Sequence, residues 1–354
     1  MSAFEDKSGK IGETEFANLI RPRCGKIKNE VVIGPLFGVD TGVIDLGNNL
    51  GMAVSSDPLS LVPTLGLKES AWLSVQLLVN DMATTGFAPM YAQMVLNLPP
   101  GLSREDFEEY WNYIHLFCEK SGVAITGGHT CQIEGQNSTL SGGGTMFLTA
   151  PLDQIISSNG AGPGDKIIMT KETALISTSI LAMSFPETVK KEFGETVYEK
   201  ACSNFYRTSV LDDALAAAEV LENNTELKAM HDVTEGGVLG AVAEMAAASG
   251  CGFRIMDDLI LSGNAPVNIA ELFEIDHRRI VGAGSMIMAV KAGLEESLIA
   301  HLLHKNIPST VIGEFTHQDK GFVIVEDGEE TPFKFDGKDP YWGAFFNAIK
   351  SGWK

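Results

Sequence analysis

Apolar residues recur along this chain in two rhythms. Short β-rich runs at Val31–Ile33, Thr41–Leu46, Met52–Ser56, Gln93–Leu98 and Thr145–Thr149 read as strands. Between them lie two helical patterns. Glu69–Thr84 places Trp72, Val75, Leu78, Val79 and Met82 on one face. Ser103–Glu119 opens with a capping box of Ser103 and Asp106, and carries Phe107, Trp111, Ile114 and Phe117 along a stripe. Both stripes read as core.

The run Gly160–Asp165 (GAGPGD) reads as a break, placing a boundary near residue 160 and two domains over 1–159 and 160–354. After it, the strand Lys166–Thr170 is followed by helical segments at Thr173–Met183, Val189–Ala201, Ser209–Leu221 and Val238–Ala248. Further strands follow at Ser285–Val290, Thr310–Ile312 and Phe322–Val325. Strands alternate with helices in both halves, which predicts an α/β or α+β architecture.

Composition narrows the function classes. A chain of 354 residues exceeds what one core usually serves, and 44% hydrophobic with 20% charged residues is the balance of a globular protein. Acids outnumber bases 46 to 26, a formal net charge of -20. That sign argues against nucleic acid and against an anionic membrane surface. No apolar run approaches the ~20 residues of a spanning helix, and the first residues, MSAFEDKSGK, lack a signal-like apolar stretch. The five cysteines are scattered and never spaced as CxxC, so a reducing cytoplasm is expected.

Candidate chemistry clusters at glycines and acids. Gly127-Gly128, Gly142-Gly143-Gly144, Gly162-Pro163-Gly164 and Gly236-Gly237 each read as a tight turn. Four such clusters beside acidic or hydroxyl residues lean toward a phosphate-handling enzyme. In residues 40–57, Asn48-Asn49 suits a two-residue hairpin loop. Opposed positions then sum to 97, which sets Asp40 across from Asp57. A divalent cation would relieve that like-charge pair, and oxygen-only ligands favour Mg²⁺ over Zn²⁺. Solvated carboxylates at a frayed end, or another register, account for the same residues. Asp81 lies in the last turns of the first helix, against the macrodipole. A ligand role would explain it; a cap or turn contact by Asn80 is as simple an account.

Ala124–Thr130 (AITGGHT) reads as a buried strand emptying into a loop whose Gly127 and Gly128 amides and Thr130 hydroxyl could cradle phosphate. His129 is there to ligate, transfer a proton or hydrogen-bond. His231-Asp232-Val233-Thr234-Glu235-Gly236-Gly237 leads into the helix Val238–Ala248. Its acids either cap that helix or engage a metal that holds phosphate. No GxxxxGK[ST], no GxGxxG after a strand and no GxSxG occurs.

Together, Gly38-Val39-Asp40, Ser56-Asp57-Pro58, the run Asn80–Pro89, Gly127–Thr130, Gly162–Asp165 and Asp232–Gly237 resemble the aminoimidazole-ribonucleotide (AIR) synthase superfamily. That superfamily includes HypE, selenophosphate synthetase and thiamine-monophosphate kinase. Met230–Glu244 and Arg279–Ala289 look most similar to the HypE-like branch. The resemblance implies a two-domain PurM-like fold, with an N-terminal domain completing a barrel in a homodimer. It also implies ATP with Mg²⁺. Asp40, Asp57 and Asp81 would be metal ligands. Asn80, Gly127, Gly128, Thr130, Asp232, Thr234, Gly236 and Gly237 would line the nucleotide site.

Three departures stand beside the resemblance. Val39 replaces the first of two adjacent acids found in many relatives. HypE proper ends in a Pro-Arg-x-Cys tail, whereas no cysteine follows Cys251 here, so modification of its own tail is not expected. Cys24-Gly25-Lys26 mimics the reactive pair of selenophosphate synthetase but stands close to Asp40, and Cys24 is taken as incidental. The expected activity is ATP-dependent phosphorylation of an amide or acyl oxygen for dehydration or cyclisation, in hydrogenase or metallocofactor maturation. His129, His231 and Glu235 are the candidate acid/base groups, and the acceptor is a small molecule or a maturation partner protein. The alternatives are a small-molecule kinase and a non-catalytic nucleotide-binding scaffold.

Overall fold

The computed structural model describes residues 9–59, 61–135, 141–335 and 337–354. A helical turn α1 (Glu13–Glu15) precedes β1 (Val31–Ile33), β2 (Gly42–Gly47), β3 (Leu50–Pro58), α2 (Leu67–Ala83), β4 (Tyr91–Leu98), α3 (Arg104–Lys120), β5 (Ala124–Gln132) and β6 (Ser141–Pro151). The second half runs β7 (Lys166–Thr170), α4 (Leu175–Ser184), α5 (Pro186–Asn204), α6 (Leu211–Val220), β8 (Leu227–Asp232), α7 (Gly237–Ser249) and β9 (Cys251–Met256). It ends with α8 (Asn264–Leu272), β10 (Met286–Val290), α9 (Glu295–His304), β11 (Ser309–His317), β12 (Phe322–Glu326), β13 (Glu329–Pro332) and α10 (Tyr341–Lys350).

The strands form two sheets. The first is ordered β1-β2-β3-β6-β4-β5 and the second β13-β12-β9-β11-β7-β10-β8. The first sheet therefore draws only on residues up to 151, the second only on residues from 166. The first is open, with β1 and β5 as its edges, and among the described residues no barrel closes. No helix among the described residues is long and apolar enough to cross a membrane.

The predicted stripes are core. Val75, Leu78, Val79 and Met82 of α2 are fully buried, and the helix lies so flat on the sheet that a Cβ on Gly144 would meet Leu78 Cδ1 at 2.3 Å. Gly142–Gly144 therefore serve β6 as strand residues under a helix, not as a turn. Ser103 caps α3, its Oγ accepting the Asp106 amide at 3.0 Å. The halves meet through α2. The Asn80 side chain donates to Thr208 O and accepts from the Val210 amide, both at 2.9 Å, while Trp72 Nε1 donates to Thr208 Oγ1.

Two local expectations are corrected. Asn48 and Asn49 do form the hairpin loop, with φ of 55° and 59°, as a primed turn requires. Gly47 opposes Leu50 as the sum of 97 demands, but a bulge between Asp45 and Gly47 shifts every later pair, so that Gly42 faces Val54. The cause is local: Gly47 takes φ 85° and its amide donates to Asp45 Oδ1 at 2.7 Å. Asp40 thus precedes β2 and does not oppose Asp57, which faces Gly144 of β6. Likewise, Gly127–Thr130 form no loop. They lie inside β5, an exposed edge strand paired in parallel with β4, and Gly128 is where it presses on β4, since a Cβ there would fall 1.8 Å from Met94 O.

Candidate active site

The acids converge where β8 ends. Strand β8, buried except at the half-buried Lys228, delivers His231 and Asp232, each 1% exposed, to the edge of the first domain. Gly38 makes the approach possible. At φ 73° it brings the chain before β2 so close to α7 that a Cβ there would lie 2.7 Å from Glu244 O. Two residues on, Asp40 Oδ2 lies 2.9 Å from His231 Nδ1 and accepts from Ser158 Oγ at 3.0 Å. The Asp40–His231 contact has ion-pair distance without hydrogen-bond alignment.

On its other side the imidazole meets Glu244, with Nε2 3.1 Å from Oε2. The same oxygen accepts from Lys10 Nζ at 3.2 Å, so Asp40, His231, Glu244 and Lys10 alternate in charge. Lys10 comes from the segment before α1. Its backbone amide donates to Glu235, whose other oxygen accepts from Trp342 Nε1 at 3.2 Å. Asp339 Oδ2 accepts the Gly236 amide at 2.8 Å. Both ends of the described chain therefore close on the turn before α7.

Electrostatics mark this cluster as short of cations. Burial, then repulsion by Asp232 and Glu235, pushes the Asp57 carboxyl up to about 6, with Lys10 pulling the other way. Burial and the charges of Asp232, Asp40 and Asp57 raise Asp81 well above the carboxylate range, although Ser55 Oγ donates to its Oδ2 at 2.6 Å. Burial and Asp40 raise Asp232 too, against the pull of His231. Burial disfavours charge on His231 and Lys10, yet Asp40 and Asp232 beside the former, and Glu244 and Asp40 beside the latter, raise both. Among the described residues, neither oxygen of Asp232 has a hydrogen-bond partner. Orphaned oxygens on a fully buried carboxylate, in a cluster of acids, suit a cation.

The structure thus brings together Asp40, Asp57, Asp81, Asp232 and His231. It does not bring Gly127, Gly128, His129 and Thr130 to them within one chain: β6 and β4 stand between Asp57 on β3 and these residues on β5. Asn80 is occupied as an interdomain tie, so its side chain is not open to a nucleotide. Glu235 is held by Lys10 and Trp342, and His231 by two carboxylates, which makes each a fixed part of the site's frame. Thr234 contributes its carbonyl to the amides of Gly237 and Gly282. Gly236 and Gly237 adopt φ of 83° and 64° as they start α7. Cys24 is exposed, its Sγ donating to Ile20 O.

Sequence reasoning missed Lys10, Glu244 and Asp339. Glu244 had a readable signal, a single acid in the otherwise apolar run Val238–Ala248. Lys10 and Asp339 had none, because their partners lie 234 and 103 residues away.

Family models match each half of the chain. Residues 38–147 match "AIR synthase related protein, N-terminal domain" and 162–326 the corresponding C-terminal domain. A hydrogenase expression/formation protein of Methanocaldococcus jannaschii is 27% identical over 71% of this chain and 72% of its own. Carbamoyl dehydratase HypE of Rhizobium leguminosarum is 24% identical over 71% and 69%. A selenide, water dikinase of Geobacter metallireducens is 31% identical over 73% and 74%. Among solved structures, HypE in complex with ATP superposes with a TM-score of 0.64 at 18% identity, over 93% of this chain and 97% of that one. A chain of the HypE–HypF complex gives 0.68 at 17%, over 82% and 92%. The fold is the two-domain, PurM-like arrangement of α/β domains, and the chain belongs to the AIR synthase-related protein family.

Proposed function

We propose that this protein is an ATP- and Mg²⁺-dependent phosphoryl-transfer enzyme that activates an amide or acyl oxygen for dehydration or cyclisation. The observation that carries the reading is the convergence of Asp40, Asp57 and Asp81 with Asp232 across the two halves, where burial and neighbouring charge raise the carboxyls of Asp57, Asp81 and Asp232. Residues 1–159 and 160–354 would be the two domains, and the relatives' names, carbamoyl dehydratase and selenide, water dikinase, fit this chemistry.

Asp40, Asp57 and Asp81, with Asp232 opposite, would hold the ion. When bound, Mg²⁺ would supply positive charge to offset that of the carboxylates and of a phosphate group. The chain's own residues do the rest. Lys10 adds a cation at the edge of the cluster, Glu244 fixes Lys10 and His231, and the Glu235–Gly237 turn orients the start of α7. The open first sheet fits a homodimer in which a second copy covers its edges. A maturation partner as acceptor accords with HypE being known in complex with HypF.

Calorimetry of ATP binding with and without Mg²⁺, for wild type and Asp57→Asn, tests the site. Mg²⁺-dependent binding lost in the variant supports it; absence of nucleotide binding by the wild type overturns it. The second reading is a small-molecule kinase, whose product is a phosphorylated small molecule, and the name of the dikinase relative accords with ATP use of that kind. Release of ADP supports simple phosphoryl transfer, and AMP supports the dikinase-like course.

A further inference from the structure

We propose that the cation site includes a nitrogen donor, His231 Nδ1, which with Asp40 and Asp232 holds a transition-metal ion of the Mn²⁺ or Zn²⁺ kind. This assignment rests on the cation-site reading above and adds to it a ligand that changes the choice of metal.

The geometry comes first. His231 Nδ1 lies 2.9 Å from Asp40 Oδ2 and 3.9 Å from Asp232 Oδ1, and one donor atom from each residue falls within 4.8 Å of the others. Two atoms bound to one ion at about 2.1 Å each stand at most about 4.2 Å apart, so the widest of these separations has to close by roughly 0.6 Å or more for all three to bind one ion. His231 and Asp232 sit deep, at 1% exposure, and the Asp40 side chain is 8% exposed. Three of their polar atoms, His231 Nδ1 and both oxygens of Asp232, have no hydrogen-bond partner among the described residues. Of these, His231 Nδ1 and Asp232 Oδ1 stand 3.9 Å apart.

The other side of the ring supplies the second argument. Glu244 Oε2 sits 3.1 Å from His231 Nε2, and Glu244 is an acid buried on an apolar helix. A carboxylate there accepts a hydrogen bond from Nε2, which leaves Nδ1 as the ring atom turned toward Asp40 and Asp232. A carboxylate behind a ligating imidazole is the usual way a metal-binding histidine is oriented and its tautomer fixed.

The donor set decides the metal class. Asp57 and Asp81 offer oxygen alone, which suits Mg²⁺, whereas imidazole nitrogen raises affinity for later divalent ions over Mg²⁺. The ligand chemistry is therefore a mixed nitrogen–carboxylate site beside an all-oxygen one, with Asp40 common to both.

Pulsed electron paramagnetic resonance of Mn²⁺ bound to the wild-type protein, without nucleotide, tests the assignment directly. A ¹⁴N coupling of the size given by a directly bound imidazole is expected, and it disappears in His231→Gln. Glu244→Gln, which keeps the ring but weakens its support, lowers Mn²⁺ affinity about tenfold or more. Mn²⁺ bound with oxygen ligands only overturns the nitrogen assignment and leaves the ATP·Mg²⁺ reading standing. Nitrogen-coupled Mn²⁺ in a protein that fails to bind ATP·Mg²⁺ supports the assignment and removes the proposed function. No Mn²⁺ binding at all overturns it, and because the wild-type spectrum decides, a variant that misfolds does not blur the result.

Discussion

Gly38 rests directly on the backbone of Glu244, with no room for a side chain: a Cβ would stand 2.7 Å from the carbonyl oxygen and 2.9 Å from the carbonyl carbon. Gly38 also has φ 73°, so Gly38→Ala combines backbone strain of about 1–2 kcal/mol with a clash against α7. Gly47 is the control, because it has φ 85° but nothing within 4 Å of its Cβ position. Thermal denaturation of Gly38→Ala is expected to show a larger loss than Gly47→Ala, and only Gly38→Ala should weaken divalent-ion binding by moving Asp40. Equal losses with unchanged metal affinity would show that the close approach does not position Asp40.

Asp81→Asn is expected to stabilise the metal-free protein while weakening Mg²⁺-dependent nucleotide binding. The Asp81 carboxyl is raised by burial and by Asp232, Asp40 and Asp57, so its ionised form is costly without a cation. A raised carboxylate pKa means the folded state holds its proton longer than the unfolded one. Stability is then lost as pH rises above the ordinary carboxylate value of about 4. Asn keeps the oxygen that accepts from Ser55 Oγ and removes the charge. In EDTA at neutral pH the variant should gain about 1 kcal/mol, a trade of stability against function. A variant less stable than wild type in EDTA would contradict the repulsion.

Much of this arrangement is legible in the sequence, and the limits have physical causes. The stripe Val75, Leu78, Val79 and Met82 and the Ser103–Asp106 cap are local patterns, and the structure repeats them. Leu227–Asp232 has no alternation because β8 is buried on both faces, so its strand is invisible to periodicity. Tyr341–Lys350 carries a glycine and four aromatic residues, which hides a helix whose face packs against Phe185 and Phe273. The hairpin turn was readable from two asparagines, but one bulge residue reversed the pairing inference for Asp40 and Asp57. Those two acids still share the site, because Asp40 reaches it from before β2. The Lys10–Glu244 pair joins residues 234 apart and left no trace in composition or spacing.

Lys10→Met is expected to lower both stability and nucleotide affinity. Its ammonium meets Glu244 at 3.2 Å, and Glu244 is 2% exposed while Lys10 is 45% exposed. Breaking a fully buried pair costs about 3–5 kcal/mol; half-exposure of Lys10 brings the expected loss to about 1–2 kcal/mol. Removing Lys10 also takes positive charge from beside Asp57 and Asp232. Metal-free stability should therefore fall more at pH 8 than at pH 5. A double-mutant cycle with Glu244→Gln, read by thermal denaturation, should give a coupling of about 0.5–3 kcal/mol. Additive losses would mean the two side chains do not act together.

Asp339 supplies a pH dependence separable from that of the acidic cluster. Burial first, and then the charge of Glu235, pushes its carboxyl up to about 6, against the hydrogen bonds it accepts from the Gly236 and Tyr341 amides. Because the folded-state value lies above the ordinary one of about 4, the native protein binds the extra proton between those limits. Asp339 therefore favours folding most below about pH 4, and that contribution drains away as pH rises to about 6. Asp339→Asn cannot lose a proton and keeps one carbonyl oxygen for the turn before α7. Its melting temperature should decline less than that of the wild type between pH 4.5 and 7, so the two curves converge or cross as pH rises. Parallel curves would mean that Asp339 ionises normally and that its contacts with Gly236 and Tyr341 act only as a cap.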